Sequence, residues 1–362
     1  EIMSSDWSSD VCSSDLLRKA IFDSRPGFND GQSAENGRLM YATGNSQLRY
    51  FTETYGDSSL ANLLAHREKI LGIFEYHDFY GGFQKVVDGG YGAFYEDWRK
   101  HMNIYYNTLA SQMERTDSLN TKRLPLPGQF YSDMASSPND SLIAVLSLTS
   151  LQRPVRRLHI VNNDSTRRSR IVAEGSIKND LSWNRDGKTL YYSRTVRGEK
   201  SSLINDIYSL DVVTGKESRL THSRRARYPV PGPQEGTIGY VVNENGTGNL
   251  FTLDLETGTE TRVTGYSGDV QMIHPVWVGP QNRWLFHKFD ANGNRHMVLF
   301  DPESGSETFL DDPDIDNRQF VLNHDGSGIA YTSLRDEVPN VFIYDFITGQ
   351  ERRVTRLFTG GE

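Results

Sequence analysis

The stretch Asp206-Ile-Tyr-Ser-Leu-Asp-Val-Val-Thr-Gly-Lys-Glu-Ser-Arg-Leu-Thr221 recurs, with substitutions, further along the chain. Similar copies begin at Asn249 and Asn340, and a more divergent one begins at His296. Each copy is an alternating apolar run, a turn that contains glycine, and a second short run, which predicts a β-hairpin. The aligned aspartates are Asp211, Asp254, Asp301 and Asp345. Their spacing of about 43 to 47 residues is typical of four-stranded propeller blades.

A second repeated element is a polar turn followed by an apolar strand. The turns occupy residues 137–141, 184–188, 232–236, 279–282 and 323–327. Five aligned units predict an all-β propeller of about five blades, because a parallel β-helix or a sandwich would have shorter repeats or a different order of elements. The chain after Thr355 is similar to the start of another blade, so we expect the propeller to be incomplete.

Composition excludes two classes of partner. The chain has 362 residues and a formal net charge of -8. This charge provides no basic stripe for a phosphate backbone, so no nucleic-acid partner is expected. No apolar run approaches the ~20 residues that a membrane-spanning helix needs, so no transmembrane segment is expected. The oligomeric state is left open.

The N-terminal residues need separate treatment. Residues 6–16 resemble a translated sequencing adapter, so we interpret residues 1–16 as a disordered artefact of the kind found in metagenomic sequence. Cys12 is the single cysteine and falls within this segment, which leaves no disulfide to predict. We therefore expect a fragment that lacks its native termini.

A helical region follows. Patterns of apolar residues predict helices between Gly37 and Gly56, from Ser58 to about Leu71, and after Gly92. The predicted buried stripe of the third helix is Phe94, Trp98, Met102, Tyr105, Leu109 and Met113. The fold class is therefore α+β multidomain, with a small α-helical region before the propeller.

Two parts of the sequence resemble known families. The run from Gly44 to Asp57, together with Tyr95-Glu-Asp-Trp98, resembles the C-terminal helical end of the peptidase-MA-like (gluzincin) domains that are fused to TolB-like propellers in bacterial envelope proteins. The turn Arg185-Asp-Gly-Lys188 is similar to the turn of WD40-like TolB propeller repeats. The resemblance implies a periplasmic or extracellular location. It also implies that zinc and a His-Glu-x-x-His helix belong to the full-length parent.

This chain does not carry that helix. His66 and His77 have spacings that cannot present two imidazoles to one metal from one helix face. We therefore predict no catalytic residue, no metal site and no cofactor in this chain. The acidic run 311–316 is interpreted as a loop between blades rather than as a cation site.

The predicted domains are an artefact at 1–16, the helical tail of a peptidase-MA-like domain at 17–120, a Pro- and Gly-containing linker at 121–128, and the TolB-like propeller at 129–362. The favoured function is a non-catalytic binding or scaffolding module with a protein or peptide ligand. The alternative is the substrate-positioning part of a zinc metallopeptidase. A propeller of a serine oligopeptidase would need a hydrolase domain downstream.

The predicted ligand site lies at the mouth of the central channel. Asp133, Asp180, Tyr228, His274 and Gln319 occupy equivalent positions near the start of the innermost strand of each blade. Convergent polar groups beside apolar strands favour the binding of a peptide or small ligand. The alternative is that these side chains only hydrogen-bond neighbouring blades and hydrate the channel.

Overall fold

The computed structural model describes residues 37–112, 124–128, 130–149, 155–198, 201–290, 293–312, 315–335 and 339–357. The adapter-like segment lies outside these residues. The chain groups into two compact units, one with the helices and one with most of the sheets. Within the described ranges, no helix is long and apolar enough to span a membrane.

The helical unit contains four helices and one hairpin in residues 37–112. They are α1 (Gly37–Tyr55), α2 (Asp57–Ala65), β1 (Arg67–Ile70), β2 (Phe74–His77), α3 (Phe79–Val86) and α4 (Gly90–Gln112). The predicted first and third helices are confirmed. The second was predicted too long, since a hairpin follows His66 and turns at Leu71 and Gly72, both with positive φ (55° and 71°). Helix α3 was not expected from the sequence.

The core of this unit is aromatic. Phe51, Phe94 and Trp98 are almost fully buried, and Trp98 Nε1 donates a hydrogen bond of 2.7 Å to Ser46 Oγ. The predicted stripe is wrong at Tyr105, which is exposed. Tyr106, four residues after Met102, is buried in its place. Met113 lies outside the described residues.

Five four-stranded antiparallel sheets follow, which confirms the propeller. The first blade is β3 (Phe130–Ser136), β4 (Leu142–Leu148), β5 (Arg156–Asn162) and β6 (Ser169–Gly175). The second is β7 (Ser182–Trp183), β8 (Thr189–Arg197), β9 (Leu203–Asp211) and β10 (Glu217–Arg219). The third is β11 (Ala226–Pro231), β12 (Thr237–Glu244), β13 (Thr247–Asp254) and β14 (Glu260–Arg262).

The fourth blade is β15 (Gln271–Val278), β16 (Arg283–Phe289), β17 (Arg295–Phe300) and β18 (Glu307–Phe309). The fifth is β19 (Asn317–Leu322), β20 (Gly328–Ser333), β21 (Asn340–Asp345) and β22 (Glu351–Arg353). The first strands of successive blades contact one another, so they form the innermost layer. His324 Nε2 of the fifth blade lies 3.3 Å from Asp140 Oδ2 of the first, so these two blades are neighbours.

The repeated hairpin turn has the predicted geometry. Asp211 Oδ1 accepts hydrogen bonds from the backbone N–H groups of Val213 (2.8 Å) and Thr214 (3.0 Å), and Gly215 has φ 75°. This Asx turn fixes the backbone of the loop. The same two acceptor bonds recur at Asp254, Asp301 and Asp345.

The first residue of the repeat is a buried polar anchor. Asp206 is fully buried and accepts from Thr221 Oγ1 (2.9 Å), Ser223 N (2.9 Å) and Arg224 N (3.0 Å). Arg219 completes the set with an ion pair to the same carboxylate. The anchor therefore ties the chain that leaves one blade to the third strand of that blade.

Asparagine accepts the equivalent hydrogen bonds in two other copies of the repeat. Asn249 Oδ1 accepts from Thr264 Oγ1 and Tyr266 N, and Asn340 Oδ1 accepts from Thr355 Oγ1 and Leu357 N. Three of the four copies therefore place an acceptor oxygen at this position, and two of those three do so without a charge.

Candidate functional site

The innermost strands of three successive blades share a β-bulge. The pairing of first and second strands shifts register after Arg227 in β11, after Ile273 in β15 and after Arg318 in β19. The next residues, Tyr228, His274 and Gln319, have φ values of 56°, 51° and 48°. Bulges redirect side chains, and they are common beside binding sites.

This backbone conformation is unfavourable for the residues that adopt it. A non-glycine residue in the left-handed region is uncommon. Tyr228 and His274 each precede a proline, Pro229 and Pro275, which restricts them further. The same unfavourable backbone conformation occurs at the equivalent residue of three blades. It is therefore a regular feature of this end of the innermost strands and not an isolated irregularity. We use "channel mouth" for the end of the innermost strands that holds Asp133, Asp180, Tyr228, His274 and Gln319.

Asp180 connects the second and third blades. It precedes β7 and is buried, and its carboxylate accepts from Ser193 N (2.9 Å), Arg227 Nε (2.8 Å) and Tyr228 N (3.1 Å). The bond to Tyr228 N holds the bulge of the third blade. Asp180 therefore fixes the backbone at the channel mouth, and both of its carboxylate oxygens already accept hydrogen bonds from within the protein.

Asp133 makes the corresponding connection between the first and second blades. Its Oδ2 accepts from Leu181 N at 2.8 Å. Burial raises the pKa of its carboxyl from 3.8 to about 6, and the nearby Asp180 acts in the same direction, while hydrogen bonds from Leu181 and Met134 oppose the shift. Asp133 is therefore a charged group held in an environment that disfavours its charge.

A chain of ring contacts runs from the third blade through the fourth to the fifth. The rings of Tyr228 and His274 meet edge to face with centroids 4.9 Å apart. His274 is 6.3 Å from the ring of His287, which lies 4.7 Å from Phe320. Gln319 is exposed beside Phe320. Hydrogen bonds and a ring contact thus connect Asp133, Asp180, Tyr228 and His274 from blade to blade, whereas Gln319 shares only the backbone conformation of Tyr228 and His274. The carboxylates of Asp133 and Asp180 are engaged in contacts between blades.

The surroundings of both histidines favour the neutral imidazole over the charged form. Burial lowers the pKa of His274, and the cations Arg227 and Arg295 lower it further against the opposing effect of Asp180. Burial also lowers the pKa of His287 well below its usual range, with Arg295 and His274 next in importance. The Asn317 backbone faces His287 and opposes this shift, but its geometry falls short of a hydrogen bond to the ring.

Several groups near the predicted site residues were not expected from the sequence. His287 and Arg295 come from the second and third strands of the fourth blade, whereas Arg318 lies on the innermost strand of the fifth blade, next to Gln319. The sequence did contain one signal for the arginines, since Arg227 and Arg318 directly precede the left-handed residues of their blades, Tyr228 and Gln319. His287 gave no signal, since its role depends on the pairing of β16 with β15.

The acidic run contributes contacts within the protein. Asp311 Oδ2 accepts from Met297 N at 2.9 Å. Asp316 pairs with Arg295 (3.4 Å) and with Arg318. The described part of the run is therefore bound to its own blades, while residues 313–314 lie outside the described residues.

A second cluster lies in the helical unit. His66, Glu68 and Asp78 place potential metal-ligand atoms within 4.8 Å of one another. Lys85 Nζ is 3.5 Å from Glu68 Oε1 and 3.4 Å from His66 Nδ1. The ammonium group therefore supplies the positive charge that a metal would bring, and Asp78 is engaged as the cap of α3 through Gly81 N. His77 is not part of this cluster.

No protein-family model and no curated protein matches the chain. Among solved structures, TolB from Acinetobacter baumannii is similar with a TM-score of 0.51 and 14% identity over 62% of this chain and 54% of that chain. A TolB structure from Agrobacterium tumefaciens gives a TM-score of 0.52 and 17% identity over 63% of this chain and 81% of that chain. The match thus spans about half the length of the first of these proteins and shows the fold alone. The sheets of this chain form a TolB-like β-propeller.

Proposed function

We propose that the propeller is a binding and scaffolding module without a catalytic role in this chain, and that a protein or peptide ligand docks at the channel mouth. The observation that carries this proposal is the strained αL residue at the same step of three innermost strands. A left-handed conformation costs roughly 1–2 kcal/mol for each L-residue. Strain of this kind clusters at ligand clamps and active sites.

The chemistry of the mouth favours binding over catalysis. Tyr228, His274 and Gln319 offer hydrogen-bonding groups at equivalent positions, but their side chains differ. His287 has no hydrogen-bond partner among the described residues, so it activates no nucleophile there. A set of different polar groups on a shared backbone geometry is suited to the recognition of an irregular surface.

The proposal includes a location in the bacterial envelope or outside the cell. Its supports are the similarity of the fold to TolB propellers and the sequence resemblance to envelope proteins. Secretion of the parent protein, followed by fractionation of the envelope, is the measurement that tests this part.

The binding site is tested with a random heptapeptide phage library panned against the protein. Enriched peptides are then titrated against wild type, His274→Ala, Gln319→Ala and the control Gln350→Ala, whose residue is exposed in a hairpin turn. We expect about a tenfold loss of affinity in the two mouth variants, or about 1.4 kcal/mol, and no change in the control. Failure to enrich any peptide, or equal binding by all four proteins, contradicts the proposal.

A further inference from the structure

Charged side chains are concentrated at the channel mouth. In the described part of the mouth the basic residues are Arg156, Lys178, Arg227, Arg295 and Arg318, and the acidic residues are Asp133, Asp180, Asp311 and Asp316. Five positive against four negative charges leave a formal excess of one. This local excess contrasts with the net charge of -8 for the whole chain. An anion at the mouth is therefore attracted by a local excess of positive charge on a chain that is negative overall.

The existing ion pairs do not use all of this charge. Asp316 is shared between Arg295 and Arg318. Arg156 donates to two neutral oxygens, those of Ile177 (2.7 Å) and Asn179 (2.7 Å). Arg156 therefore forms no described ion pair, and Arg295 keeps an Nε donor without a described partner.

Lys178 is the cation with the weakest compensation. It forms no ion pair within the described ranges, and its side chain is half-buried. Burial lowers its pKa, and repulsion by Arg227 and Arg156 adds to that effect against the attraction of Asp180. A second carboxylate at this point would relieve the repulsion among the three cations.

Buried polar atoms beside this cationic ring also lack partners. Both ring nitrogens of His287, the Nε of Arg295 and the Oδ1 of Asn317 make no hydrogen bond to any described residue. His287 and Asn317 are each 1% exposed. A buried polar group without a partner is unfavourable, so a ligand that forms hydrogen bonds with these atoms gains affinity by removing that penalty.

We propose that the ligand of the channel mouth is a peptide segment that carries a carboxylate, held by Lys178 and Arg295, with its amide groups directed at His287 and Asn317. This inference rests on the proposed function and adds the chemistry of the ligand. The unpartnered atoms include both donors and an acceptor. A peptide supplies oxygens for the donors and N–H groups for the acceptor, and its carboxylate forms charge-assisted bonds with arginine.

The experiment uses N-acetylated hexapeptides of alternating glycine and a second residue. One has glutamate and an amidated C-terminus, and a second has glutamine and a free C-terminal carboxylate. The neutral control has glutamine and an amide, and the cationic control has lysine and an amide. We expect binding by the first, the second or both, with weakening at higher salt, and no binding by the controls. The pair of anionic peptides distinguishes a side-chain carboxylate from a terminal one.

Variants connect this binding to the mouth. Lys178→Gln removes a cation that forms no described ion pair, and Arg295→Gln removes the arginine beside His287. The control Arg283→Gln lies at the opposite end of the same blade, where its pair with Asp301 is long at 3.9 Å. We expect about a tenfold loss of affinity for the anionic peptide in the first two variants and none in the control. Unchanged thermal melts separate loss of binding from loss of fold.

The outcomes separate the two proposals. If the neutral peptide binds as well as the anionic ones and His274→Ala weakens both, the carboxylate is wrong and the channel-mouth site stands. If no anionic peptide binds, the carboxylate is likewise wrong, and the phage panning still tests the site. If the anionic peptides bind and none of the mouth variants weakens them, both proposals fail.

Discussion

Replacement of the buried anchor Asp206 by alanine is the sharpest test of how the blades are held together. The carboxylate is fully buried and accepts from Thr221 Oγ1 and from the backbone N–H groups of Ser223 and Arg224. Alanine would leave these donors without an acceptor and Arg219 without its partner. Asparagine would keep one acceptor oxygen, as Asn249 and Asn340 do in other copies of the repeat.

The magnitudes follow from the groups that are left unpaired. Breaking a buried charged pair by removing one partner costs about 3–5 kcal/mol. The Arg219 side chain is 29% exposed and can reach water, so we expect the lower part of that range, about 3–4 kcal/mol, for Asp206→Ala. Asp206→Asn loses the charge and one acceptor but retains the other, for which we expect about 1–2 kcal/mol.

The assay is urea unfolding followed by circular dichroism, with Glu256→Ala as an exposed control from a hairpin turn. At a constant slope, the midpoint should fall in the order control, Asp206→Asn, Asp206→Ala. Equal midpoints for the asparagine and alanine variants would refute the reasoning. That result would mean that charge, rather than an acceptor oxygen, stabilises this position.

Three further predictions concern the channel mouth. The pKa of Asp133 is raised from 3.8 to about 6, so between these pH values the native state holds a proton that the unfolded state releases, and stability is lost as pH rises through this window. Asp133→Asn should abolish that loss and be more stable than wild type by about 1–3 kcal/mol at pH 7, as measured by urea unfolding at pH 4 and pH 7. His287→Val introduces the residue that the third blade has at the same register, Val241. It should raise stability, because two unpartnered nitrogens are removed, and it should weaken peptide binding. A loss of stability together with a loss of binding would contradict the assignment of His287 to the site. Gln319→Gly should raise the free energy of unfolding by about 0.5–1 kcal/mol because glycine tolerates φ 48°, whereas Gln350→Gly should not; equal changes would show that the bulge is unstrained.

The repeat could be predicted because its physics is local. An Asx turn at Asp211 and a left-handed glycine at Gly215 lie within five residues of one another, so each hairpin was visible in the sequence. The second helix was predicted past its end for a related reason. Apolar residues beyond Ala65 continued a helical pattern, and the positive φ of Leu71 that turns the chain back has no local signature.

The site could be predicted only as positions along the innermost strand. Equivalence within the repeat placed Tyr228 and His274 at the mouth, but it could not show that a bulge turns them or that Asp180 is committed to Tyr228 N. The contribution of His287 and Arg295 depends on pairing between strands and on contacts between blades. Such contacts join residues that are distant in sequence, and one chain alone does not reveal them.

The shared bulge has a consequence for how this surface changes. Tyrosine, histidine and glutamine occupy the same backbone step in three blades, so the geometry of the step does not depend on which of these side chains is present. A tripartite library that randomises positions 228, 274 and 319 would therefore vary recognition on a constant scaffold, much as antibody loops vary on a constant framework. Such a library offers a direct route to propellers with chosen binding specificities.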